Sequence, residues 1–103
     1  MPSLRSLQSD DDYRQGLILQ KQDHYDNLAD MKAKRIEVKD QISAKYEEMN
    51  ALQGRDLITA AARRSIFLEI QELKKERQEW NEAIEEEREL LSKVKDELEG
   101  LFG

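Results

Sequence analysis

Cysteine is absent from this chain, histidine occurs once, proline once, and glycine four times in 103 residues. Without cysteine there is no disulfide framework, no thiol nucleophile and no thiolate metal site. The lone His24 forms no His-Glu-x-x-His pair, and neither calcium-loop spacing nor a glycine-rich phosphate loop occurs. The residues therefore imply no metal, no cofactor and no enzyme, because catalysis needs groups that converge in a concave pocket. Apolar runs are short as well. None approaches the roughly 18 residues of a membrane span, and Met1 to Leu7 lacks the apolar core of a signal peptide. The expectation is a protein of the cytoplasm, or of a virus particle or infected cell, away from membranes.

Aromatic residues make up 6% and charged residues 39%, so a large globular core is excluded. Few breakers and much Glu, Lys, Arg, Leu and Ala favour long helices. The second half carries the clearest pattern. Ile66, Ile70, Leu73, Arg77, Trp80, Ile84, Glu87, Leu91, Val94, Leu98 and Leu101 follow one another at alternating steps of four and three. A period near 3.5 residues is that of a coiled-coil seam, and a helix with such a stripe needs a partner helix.

The first half supplies one. Apolar residues fall at Leu17, Ile18, Tyr25, Leu28, Met31, Val38, Ile42, Tyr46, Met49 and Leu52, and most fit a single face, although Lys21, His24, Arg35 and Lys45 interrupt it. Gln53-Gly54-Arg55-Asp56 is the internal turn signal, with Gly54 suited to the left-handed position that ends a helix. The expected organisation is a flexible arm over 1–9, a first helix over 10–53 and a turn over 54–59. A second helix over 60–99 and an apolar tail over 101–103 complete it. Ser9 and the acids Asp10 to Asp12 would start the first helix, and Thr59, preferred to Asp56, would cap the second. Leu57 would cover the turn. A single long helix through Gly54 is the alternative. The fold class is all-α: two long antiparallel helices forming a coiled-coil hairpin that dimerises into a four-helix bundle.

Folding the chain at the turn brings Ile42 level with Ile70 and Leu73, Met31 level with Trp80 and Ile84, and Leu17 and Ile18 level with Val94 and Leu98. Glu87 falls beside His24 and Lys21, which predicts a partly buried ion pair that fixes register. Arg77 falls near Arg35. These like charges call for acids, with Glu37, Asp40, Glu76 and Glu79 as candidates. The charges are uneven along the hairpin. Residues 10–31 and 82–103 hold 14 acids against 5 bases, while 32–81 hold 9 against 11. Acids interleave with the bases of the middle, so direct nucleic-acid binding is not the expectation.

Several apolar side chains lie on or beside the seam where a further helix could cover them. Phe67, Leu90, Ile36, Trp80, Tyr46, Leu101 and Phe102 are the candidate interface to a protein partner or a second copy. The leading expectation is a non-catalytic spacer, scaffold or assembly factor that forms a homodimer or higher oligomer. The other is a small acidic regulatory binder that masks a basic site on an enzyme or nucleic-acid-binding protein.

Overall fold

A computed structural model of the chain describes residues 4–102, with side chains over 11–101. Two helices, α1, Leu4–Ala51, and α2, Leu57–Phe102, account for all the described residues except 52–56. The chain divides into two compact units. The terminal unit comprises Met1–Asp30 and Ile84–Gly103, and the turn unit comprises Met31–Ala83.

In the terminal unit the helices run antiparallel, since Tyr13 bonds Glu97 and His24 bonds Glu87. Leu17, Val94 and Leu98 form a buried cluster, which is the expected register. Along α1, Leu17, Lys21, His24 and Leu28 are buried or half-buried, and along α2 so are Ile84, Glu87, Leu91, Val94 and Leu98. The steps are four and three on both helices. Lys21 and His24 therefore occupy seam positions rather than breaking the seam.

The turn unit is antiparallel too, with Arg35 joined to Asn81 and Lys45 to Glu69. Its core is Val38, Ile42 and Ile70, with Tyr46, Met49, Ile66, Leu73 and Trp80 packed around it. Ile70 is 0% exposed, and burying a side chain of that size contributes about 1.5–3 kcal/mol. Met31, Arg35, Val38, Ile42, Lys45, Met49 and Leu52 continue the alternation on α1.

The helix ends differ from expectation in four places. α1 is helical from Leu4, ahead of Asp10, because nothing between Ser3 and Asp10 breaks a helix; residues 1–3 of the expected arm lie outside the described residues. It also runs through Gly16, where an added Cβ would meet nothing within 4 Å. α2 likewise continues through Gly100 to Phe102, because a glycine lowers helix propensity without removing a hydrogen bond.

At the turn, Asp56 rather than Thr59 caps α2. Its Oδ1 accepts from the Thr59 amide at 2.9 Å, and its carbonyl accepts from the Ala60 amide at 3.0 Å. Asp56 sits three residues before Thr59, where a short carboxylate reaches the free amides of a first turn. Hydrogen bonds from Thr59, side chain first and then backbone, hold the Asp56 carboxyl below its ordinary value. α2 thus begins at Leu57, which is 88% exposed and covers nothing. No described residue, Gly54 included, has a positive φ. Position 54 is close-packed instead: a Cβ there would come within 2.7 Å of Thr59 Oγ1, so the Thr59 side chain would have to shift.

Candidate functional site

Among the described residues the terminal unit buries one charged group. Glu87 stands at a seam position of α2, 8% exposed, because the four-three alternation turns it inward between Ile84 and Leu91. Its Oε1 meets His24 Nδ1 at 2.5 Å and accepts from Asn27 Nδ2 at 3.1 Å. A carboxylate only accepts, so the proton lies on His24 Nδ1. The His24 hydrogen bond, ahead of that from Asn27, holds the Glu87 carboxyl below its ordinary value, against burial, which works the other way. Of the three residues expected here, the structure brings His24 and Glu87 together. Lys21 goes elsewhere, to a groove it shares with Ile18, Lys95, Leu98 and Glu99. Asn27, three residues after His24 and so on the next turn, takes the place expected for Lys21.

Two tyrosines bridge the helices of this unit at its surface. Tyr13 donates to Glu97 Oε2 at 3.1 Å, which raises its phenol above the ordinary value. The Lys95 ammonium lies 5.2 Å from the Tyr25 ring centroid and lowers that phenol.

In the turn unit Arg35 donates through Nη1 to Asn81 Oδ1 at 3.1 Å. None of the acids Glu37, Asp40, Glu76 or Glu79 takes it. A neutral amide on the facing turn satisfies the guanidinium without drawing a second charge into the seam. Lys45 reaches Glu69 at 2.8 Å and Glu48 at 3.4 Å, which raises its ammonium above the ordinary value. Arg63 reaches back to the end of α1. It donates from Nε to Leu52 O at 2.8 Å and from Nη2 to Gly54 O at 2.9 Å. It thereby closes carbonyls that a helix end leaves open. Its distance from Leu52 in sequence hid that role.

The candidate interface residues separate into two sets. Trp80 and Tyr46 pack on the Val38–Ile42–Ile70 core of their own unit, and Lys74 lies 5.4 Å from the Tyr46 ring centroid. Ile36 and Phe67 in the turn unit, and Leu90 and Leu101 in the terminal unit, remain exposed, at 56%, 49%, 46% and 38%. Phe102 lies outside the described side chains. Leu68 is exposed to a similar degree and was not anticipated. It lines an open groove of about 690 Å³ with Gln41, Ser65, Glu72 and Leu73. Among the described residues no group of three or more His, Asp or Glu is arranged to hold a metal ion, and no helix is long and apolar enough to cross a membrane. Compared with protein-family models, with curated proteins and with solved structures, the chain matches none.

Proposed function

We propose that the chain is a non-catalytic structural or adaptor protein: a coiled-coil helical hairpin that associates with itself and serves as a spacer, scaffold or assembly factor. The observation that carries this reading is the apolar surface left beyond the seams. Two helices bury one stripe each, and Ile36, Phe67 and Leu90 stand outside those stripes, about half exposed. A further layer of helices, such as a second hairpin completing a four-helix bundle, covers such positions. The four-three alternation of buried positions on both helices supports coiled-coil packing.

The test is the mass in solution of the wild type, Phe67→Glu and Leu90→Glu by sedimentation equilibrium. The wild type is expected as a dimer or larger, and each variant as a monomer of unchanged helix content. Two variants that keep the wild-type mass would count against the reading. A second reading is favoured by charge: the terminal unit holds 13 acids against 6 bases, which suits an acidic regulatory binder that masks a basic site. Capture of a basic partner would then weaken steeply with salt, and salt-independent capture would exclude it.

A further inference from the structure

We propose that copies of this chain stack through unlike faces of the turn unit, the lysine-and-aromatic face of one copy on the glutamate face of the next. This rests on the self-association reading above and specifies which surfaces meet. Residues seven apart lie nearly two helical turns apart and share a stripe. Lys32, Lys39 and Tyr46 form such a stripe on α1, and Phe67 and Lys74 form one on α2. The contact of Lys74 with the Tyr46 ring joins the two stripes into one face. Ile36 stands between the lysines, more than half exposed. No acid occupies these positions.

The other face carries Glu69 and Glu76 in one stripe and Glu72 and Glu79 in the next. The bridge from Lys45 to Glu69 fixes the side of α1 that borders it. The groove walled by Leu68 and Leu73 opens here, and a second groove links Glu72, Glu76 and Glu79 with Lys75. Lys45 and Lys34 are engaged by Glu48, Glu69 and Glu37, which leaves glutamates in excess. One face therefore offers cations around projecting Phe67 and Ile36. The opposite face offers carboxylates around an apolar groove.

Charge complementarity decides the arrangement. A two-fold dimer through either face would set lysine on lysine or glutamate on glutamate. Stacking unlike faces pairs opposite charges and seats an apolar projection over an apolar groove. Such a contact is heterologous, so each copy added exposes the same pair of faces again and the assembly stays open-ended. A polyanion is the weaker fit for the lysine face, since a chain of net charge −6 repels it at long range.

The experiment is sedimentation velocity on the full chain at about 0.02 M and about 0.5 M salt. It compares the wild type, the triple Lys32→Glu/Lys39→Glu/Lys74→Glu, the triple Glu72→Lys/Glu76→Lys/Glu79→Lys, and an equimolar mixture of the triples. The expected result is association of the wild type that grows with concentration without a plateau and weakens at least about tenfold at the higher salt. Each triple alone is expected to be monomeric, and the mixture to associate again. Helix content by circular dichroism confirms folding, and the single variants Lys39→Glu and Glu76→Lys, expected to weaken association several-fold, serve should a triple not fold. The proposal is overturned if either triple associates like the wild type or if the folded triples stay monomeric when mixed. Loss in the lysine triple alone also overturns it and points to a polyanion. A wild type that is monomeric at low salt sinks the self-association reading as well; an associating wild type whose triples are unaffected sinks only the stacking.

Discussion

The two units share the four-three spacing and both bury hydrocarbon, but they differ in the charge drawn to the seam: the half-buried bases Arg35, Lys45 and Arg77 in the turn unit, the buried acid Glu87 in the terminal unit. The turn unit buries hydrocarbon at its centre, with Ile70 closed off from solvent and aromatic rings around it, and it carries 10 acids against 11 bases. The terminal unit is strongly acidic and places a carboxylate at its own seam, held by His24 and Asn27. Periodicity alone specifies that helices pair. The polar groups at the seam add a condition that hydrocarbon alone does not impose, because each must meet its partner across the pair.

The largest effect expected from breaking this contrast is at the apolar seam. Ile70→Ala should lower unfolding stability by about 2–5 kcal/mol in urea titration, since it opens a cavity among Val38, Ile42 and Leu73. A loss below about 1 kcal/mol would show that the turn unit does not depend on that core. The polar seam should respond in the other direction. Replacing both partners, His24→Leu with Glu87→Leu, is expected to raise stability by about 1–3 kcal/mol, because a well-packed apolar pair avoids desolvating charge. Glu87→Leu alone gains less, as His24 and Asn27 lose their acceptor.

A smaller effect is expected with pH. The folded-state value of Glu87 lies below the ordinary 4.5. The stability linked to it is therefore complete above that value and is lost as pH falls through the depressed folded one. The acid limb of a stability–pH curve should flatten in Glu87→Gln, and an unchanged limb would assign the acid loss to other carboxylates. The smallest effect is at the turn. Arg63→Ala should cost about 1–2 kcal/mol through the carbonyls of Leu52 and Gly54, seen as faster amide exchange at the end of α1.

Helix content, antiparallel pairing and the level of Ile42 with Ile70 and of Leu17 with Val94 and Leu98 were legible because they follow from spacing, which a single chain displays in full; Ile18, expected beside Leu17, is exposed instead. The pairing of His24 with Glu87 was legible for the same reason: both sit at seam steps and a hairpin brings them level. Asn27, Asn81 and Arg63 were not. Each acts across the helix pair on a group that its own neighbours in sequence do not announce, and an amide or guanidinium on a charged surface carries no periodic signal. The turn misled in a different way. Both Asp56 and Thr59 can cap, and the choice depended on whether Leu57 found cover, which it does not. At Gly54 the turn signal points to backbone conformation, while the close neighbour in the structure is the Thr59 side chain.

One consequence of the buried carboxylate concerns errors rather than stability. Two helices joined only by leucine and isoleucine can slide by seven residues and still meet hydrocarbon with hydrocarbon. Here a slip of that size would set Glu87 against Leu17 and take it from its His24 and Asn27 donors. The matched register therefore keeps a partner for this carboxylate that the shifted one forfeits, and the penalty falls on the misaligned closure.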